Sequence, residues 1–239
     1  MEWNQTYGGA DYEQAYSLVE TSDGGYALTG TTNTNTDVNI WLVKTGLLGK
    51  MEWNQTYGGP KVDRVDSAQA LVETSDGGYA VVGSTYSFGA GGDGWLIKTN
   101  AEGAMEWNQT YGGADDDWAS ALVQTKDGGY ALAGARDLVG PKKGDAWLVK
   151  TDADGNMQWN QTYGGTRYDL ARGLVQASDG GYAMAGSTEI ESPDHSAFGE
   201  LSTLLIKTNE NGVVPEFGSW TVLPLILTVT LFIVFLKKR

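Results

Sequence analysis

Trp3–Gly9 reads WNQTYGG, and the same seven letters return at Trp53–Gly59, Trp107–Gly113 and Trp159–Gly165. The anchoring tryptophans lie 50, 54 and 52 residues apart. A fixed period of this size marks an array of supersecondary units that bury their apolar faces against one another. Near-identical units seldom build one asymmetric catalytic centre, so a scaffold or binding role leads the functional reading.

Three further strand-like runs precede each later copy of the phrase. In the third unit they are Ala121–Thr125 (ALVQT), Gly129–Gly134 (GYALAG) and Trp147–Thr151 (WLVKT), followed by Met157–Tyr163 (MQWNQTY). Lys126-Asp127-Gly128 joins the first two, and Asp-Gly favours a tight hairpin because both residues tolerate positive φ. The turn recurs around Asp23, Asp76 and Asp179. The connection between second and third runs varies in length and composition, as an exposed loop does. Within Trp147–Thr151, Trp147 and Val149 point one way and Leu148 the other, so the sheet is covered on both faces. Four-stranded sheets stacked face to face describe an all-β fold, a β-propeller of four such repeats. A parallel β-helix is the competitor, but its rungs are shorter and lack two Gly-rich hairpins per repeat.

The repeats span residues 1–212. Residues 1–9 carry an outer strand that the fourth unit lacks, so they are expected to close the last blade and leave no open edge. Closure on four blades, the joining of two half-rings and membership of a larger array all remain open at this level. Leu204 stands where Trp41, Trp95 and Trp147 stand, as an atypical terminal repeat. Met1-Glu2 copies the Met-Glu before Trp53 and Trp107 and does not open a secretory leader, so a longer natural chain is expected.

Thirty-four glycines without a collagen period fit a turn-rich β fold, and the absence of cysteine excludes disulfides and thiolate metal sites. The net charge is −14; without Lys237, Lys238 and Arg239, 13 basic residues face 30 acidic ones. Such a body repels phosphate backbones, which argues against nucleic acid as a partner.

Residues 213–219 form a linker, and Trp220–Leu236 is a run of 17 residues without a charge. As a helix it would rise about 25 Å, near the thickness of a bilayer core, and it is expected to cross the membrane. Residues 237–239 form a basic end that stays cytoplasmic and leaves the repeats outside. Pro215-Glu216-Phe217, the apolar run and the basic end together resemble the PEF-CTERM sorting signal of archaeal surface proteins. That resemblance implies an archaeosortase-type transpeptidase that recognises Pro215, Glu216 and Phe217, removes the helix and attaches the chain to a surface anchor; the plainer alternative is a single-pass anchor. The GGYA…WLVKTD…W…TYGG pattern over residues 1–212 is similar to repeat arrays of archaeal and bacterial secreted proteins, which implies location and fold more than activity.

Catalytic motifs are scarce. His195, the one histidine, lies in a Ser/Pro/Asp loop and reads as solvated. Glu13, Asp66, Asp117 and Asp169 each sit five residues before an equivalent leucine. They form a ring of acids near a central channel, or, as the favoured reading, each fixes the turn before its strand. Asp152, Asp154 and Asn156 resemble the start of a calcium loop, but the later ligands are missing and a hairpin turn is the better reading. Asn4, Asn54, Asn108 and Asn160 open Asn-Gln-Thr sequons, glycan acceptors if the chain is exported. No cofactor or metal is expected. The leading expectation is a non-enzymatic cell-surface protein acting in adhesion, envelope structure or capture of surface polysaccharide or envelope proteins. The alternative is a glycosidase-like propeller using its repeated carboxylates.

Overall fold

The computed structural model describes residues 2–9, 12–34, 37–59, 66–88, 91–138, 144–190 and 200–215. Among these, fifteen antiparallel strands form four sheets in chain order. The first sheet is β1 (Tyr12–Glu20), β2 (Tyr26–Thr34), β3 (Asp37–Thr45) and β4 (Met51–Tyr57). The second is β5 (Asp66–Glu73), β6 (Tyr79–Thr85), β7 (Asp93–Thr99) and β8 (Met105–Tyr111). The third is β9 (Trp118–Gln124), β10 (Tyr130–Arg136), β11 (Asp145–Thr151) and β12 (Met157–Tyr163). The fourth is β13 (Asp169–Gln176), β14 (Tyr182–Ile190) and β15 (Glu200–Lys207). Each sheet is an up-and-down meander, and the inner strands pack in succession, β1 on β5, β5 on β9 and β9 on β13. The arrangement is a propeller-like row of four blades. The all-β repeat architecture expected from the sequence is therefore present.

Local chemistry sets each blade. In the first hairpin Gly24 takes φ +80, which an L side chain rarely adopts. Asp23 accepts the Gly25 N–H at 2.9 Å and the Lys44 ammonium at 2.8 Å. Further along, the inner strand bulges between Ala15 and Ser17 opposite Gly30. Its counterpart Gly83 sits so close to β5 that a Cβ there would overlap the Ser67 carbonyl oxygen. Glycine at this point lets the inner strand bend against its neighbour.

Apolar packing between blades dominates stability. Ile40, Leu42 and Tyr57 of the first blade meet Leu71, Tyr79, Val81, Trp95 and Ile97 of the second in one buried cluster, and the next two junctions repeat the pattern. Each such side chain contributes roughly 1.5–3 kcal/mol on burial. The Lys44–Asp23 and Lys98–Asp76 pairs, whose acids are largely exposed, contribute about 0–1 kcal/mol each.

WNQTYGG is both outer strand and seam. Trp53, Trp107 and Trp159 meet Tyr79, Tyr130 and Tyr182 of the following blade edge-on at 5.6–5.8 Å between centroids. The Tyr57 hydroxyl donates to the Gly103 carbonyl and the Tyr111 hydroxyl to the Gly155 carbonyl, both at 2.7 Å. Tyr163 makes the same bond to Gly212.

The expected closure by residues 1–9 is not what the structure shows. Residues 2–9 lie outside any sheet, and among the described residues the fourth sheet ends at β15. Trp3 and Tyr7 still make the seam contacts of an outer strand with the following blade, against Tyr26 and the Gly49 carbonyl, as Trp53 and Tyr57 do with the second. The physical reason is the open row: β13 does not pack on β1 as the successive inner strands pack on each other. Among the described residues no helix is long and apolar enough to cross a membrane, and 220–236 lies outside them.

Candidate functional site

Along the inner strands, alternate residues turn away from the blade junctions. In β5 Ala68 is buried in the core while Ser67 and Gln69 flank it on the other side; in β9 Ala119 is buried between Trp118 and Ser120; in β13 Ala171 is buried beside Arg172. These outward-turned residues of three consecutive blades, with Ser84 and Tyr86, line a pocket of about 310 Å³. Trp118 is 45% exposed there, an unusual exposure for an indole with no partner strand over it. The site offers an aromatic face, hydroxyls, an amide and a guanidinium.

Tyr86 connects the pocket wall to a group of acids. The Tyr86 hydroxyl donates to Asp116 at 3.2 Å, and the other Asp116 oxygen accepts the Gly92 N–H at 2.8 Å. Burial, and then the charge of Asp116, push the Asp93 carboxyl above the usual carboxylate range. Burial also raises Asp117, although the N–H groups of Asp137 and Gly113 and the nearby Arg136 pull it down. Asp93 and Asp117 crowd the same side of Gly112. Arg136 stacks over Trp147 at 5.7 Å just beyond.

The four aligned acids are each engaged by hydrogen bonds at a turn. Asp66 accepts the Gly59 N–H and the Thr85 and Ser87 hydroxyls; Asp117 accepts Gly113 and Asp137 N–H; Asp169 accepts the Gly165 N–H; Glu13 accepts the Gly9 N–H and the Thr32 hydroxyl. Each ties the turn after a WNQTYGG copy to the following inner strand. Asp152 likewise accepts the N–H groups of Asp154 and Asn156 and the Asn156 side chain, closing a hairpin.

In the sequons, the carboxamide oxygens of Asn54, Asn108 and Asn160 accept the indole N–H of Trp41, Trp95 and Trp147 at 3.0–3.2 Å, and their nitrogens lie beside a methionine sulfur. Asn4 lies in the segment on the first blade. Pro215 is exposed beside Asp179 and Lys207. Glu216, Phe217 and His195 lie outside the described residues.

Sequence reasoning missed Tyr86, Asp116, Trp118 and Arg172. The signal was divergence between repeats. Register opposite the bulge glycines aligns Gln14, Ser67, Trp118 and Leu170, and then Tyr16, Gln69, Ser120 and Arg172. No two residues agree within either set, whereas WNQTYGG is identical four times.

No protein-family model and no curated protein matches the chain. Among solved structures it is similar to a thermostable family-43 glycoside hydrolase (12% identity, TM-score 0.49, 88% of this chain and 74% of that one). It is also similar to an α-L-arabinofuranosidase from Clostridium thermocellum (13% identity, TM-score 0.45, 85% and 71%) and to a protein of unknown function from Bacteroides caccae (10% identity, TM-score 0.37, 84% and 80%). The expectation of a non-enzymatic role is corrected here to its carbohydrate-active alternative on the pocket of unlike side chains; two of these neighbours are glycoside hydrolases, a likeness of fold. Likeness at this level says nothing of chemistry in this chain, which has to be argued from the pocket.

Proposed function

We propose that this chain is a carbohydrate-active, glycosidase-like repeat protein whose inner-strand pocket takes a sugar. The observation that carries the reading is the set of unlike side chains that an otherwise repetitive scaffold turns into one pocket. The exposed Trp118 face suits the C–H face of a sugar ring. Ser67, Gln69, Ser84 and Ser120 suit its hydroxyls, and Arg172 suits a carboxylate-bearing or otherwise electron-rich sugar.

Hydrolysis of a glycosidic bond needs two carboxyls in unlike environments. Asp116, which accepts the Tyr86 hydroxyl, and the buried Asp93, raised by burial and by the Asp116 charge, are the pair assigned here. Asp93, which keeps its proton to higher pH, delivers it to the departing glycosidic oxygen; Asp116 takes the proton from the water whose oxygen attacks the anomeric carbon. One water is consumed per bond cleaved. The repeated acids Asp66 and Asp169, engaged in turns, are left out of this scheme. A panel of polysaccharides scored for binding and for reducing ends tests it. Turnover lost in Asp116→Asn with sugar binding retained supports the assignment; neither binding nor turnover on any polysaccharide removes it.

We infer also that the repeats work outside the cell. The support is the apolar run 220–236, the basic end Lys237–Arg239 and the preceding Pro215-Glu216-Phe217. A transpeptidase that cuts near that tripeptide is the implied partner, and Asn4, Asn54, Asn108 and Asn160 would then be within reach of glycosylation. Mass spectrometry of the native protein tests both: an intact 239-residue mass without hexose increments argues against sorting and glycans together.

A further inference from the structure

The inner-strand pocket runs against the charge of the chain that builds it. The sequence holds 30 acidic residues and a net charge of −14, yet no residue lining the pocket is acidic and one, Arg172, is a cation. The other described arginines each have a carboxylate: Arg167 reaches Glu189 at 2.9 Å, and Arg136 lies 3.7 Å from Asp137. Lys44, Lys98, Lys150 and Lys207 are paired in the same way. Among the described residues the Arg172 side chain has neither an ion pair nor a hydrogen bond. Its N–H donors are left for a ligand.

The backbone aims this guanidinium. In β13 the register passes from Ala171 opposite Gly186 to Gly173 opposite Ala185, so Arg172 is the extra residue of a bulge. Gln69 in β5 and Ser120 in β9 are the extra residues of the same bulge in their blades. A bulge re-aims its extra side chain out of the strand's alternation, and all three line this pocket. One variable position from each of three blades thus meets a common space. The aromatic wall is held as well: the Trp118 indole N–H bonds the Tyr86 oxygen, and the Tyr86 hydroxyl donates to Asp116 at 3.2 Å. The indole is fixed by its edge, and its face is left to the pocket.

We propose that the sugar this pocket selects is a uronate, its carboxylate on Arg172 and its ring on Trp118; the inference rests on the sugar-binding reading above and narrows it. A guanidinium presents parallel N–H groups that match the two oxygens of a carboxylate. A neutral sugar offers a single hydroxyl at that place, so the charged sugar is told from its neutral parent there. Gln69 and Ser120 are free to bond ring hydroxyls. One guanidinium serves one carboxylate. Around it Asp116 stands behind Tyr86 and the chain as a whole is negative, so further uronates in a run are repelled. The ligand is an isolated uronate, at the end or on a branch of an otherwise neutral glycan.

Ligand-observed NMR titrations of the full-length protein in mild detergent test this. The probes are the methyl glycosides of glucuronate and galacturonate, their neutral parents methyl glucoside and methyl galactoside, and the methyl esters of the two uronosides. One uronoside is expected to bind roughly tenfold more tightly than its neutral parent, and its ester to fall to the level of that parent. Arg172→Gln is expected to do to the uronoside what esterification does, while Arg172→Lys, which keeps the charge without the fork, keeps part of the preference. Arg172 is exposed, so the urea midpoint of both variants should hold. Neutral parents that bind as tightly as the uronosides, or a preference that survives Arg172→Gln or esterification, overturn the inference and leave the sugar pocket standing. If none of these probes binds but a neutral polysaccharide does, the inference again falls alone; if no sugar of either kind binds, the reading it rests on falls with it. A trimer of the preferred uronate that binds more tightly in proportion to its added charge overturns the assignment to an isolated uronate.

Discussion

The outer and inner strands of each blade meet opposite demands. Every side chain of WNQTYGG with a described role meets a repeated partner: Trp a tyrosine of the next blade, Asn an indole N–H, Tyr a glycine carbonyl. A change in one copy would spoil a seam of fixed geometry. The inner strands share their core-facing Ala and Leu positions, but the residues turned away from the junctions are under no such demand and differ in every blade. Repetition therefore marks the scaffold, and its interruption marks the place where a ligand can be told from another.

The contrast breaks most visibly at a buried third-strand position. Trp95 is fully buried, donates to Asn108 at 3.0 Å and meets Phe88 at 5.3 Å. Trp95→Ala is expected to cost about 3–5 kcal/mol in urea unfolding, with no smaller loss at Trp147→Ala. Next comes Gly83→Ala. The added methyl must displace the β5 backbone, for about 1–3 kcal/mol, and because β5 carries Ser67 and Gln69 it is expected to weaken sugar binding as well. If stability holds while binding falls, the inner strand is more plastic than the comparison allows.

Trp118→Ala is the sharpening case. Its indole is half exposed, so stability should move by less than about 0.5 kcal/mol, while affinity for the bound polysaccharide falls by roughly tenfold, about 1.4 kcal/mol. An equal loss of stability would return Trp118 to the scaffold.

The smallest effect lies in the hairpins. Burial pushes Asp76 and Asp127 up, but bonds from Lys98 or Lys150, a threonine hydroxyl and a glycine N–H outweigh it and hold each at about 2. A depressed carboxyl adds stability above its unfolded value of 3.8, and that stability is lost as pH falls from there through about 2. Both aspartates are more than half exposed, so each contributes under about 1 kcal/mol. The midpoint of urea unfolding should drop across this window, and less so in Asp76→Asn/Asp127→Asn. The raised Asp93 and Asp117 have the opposite sign: their contribution is complete below 3.8 and fades as pH rises through their higher folded values.

Blade structure was legible because it rests on local rules. Asp127-Gly128 announces its hairpin, and alternation within Trp147–Thr151 announces two covered faces. The turn-fixing role of Asp66 and Asp169 was favoured from position alone. The state of residues 2–9 was not legible: the sequence carries the seam contacts of Trp3 and Tyr7, which form, but not whether β13 packs on β1, which decides whether the segment also pairs in a sheet. Asp116 was hidden for another reason. It stands where Tyr12 and Tyr168 stand in sister repeats, and only the fold of the Gly92 loop brings it to Tyr86. The same search for regularity that revealed the array drew attention to the aligned acids and away from the irregular one.

The tyrosine-to-glycine bonds of the seam reach across 46 and 44 residues, about one unit of chain. A duplication or loss of one whole unit leaves every such bond with a valid partner, wherever the break falls. The seam therefore sets no fixed number of units, and each unit carries its own inner strand whose outward positions the seam leaves unconstrained.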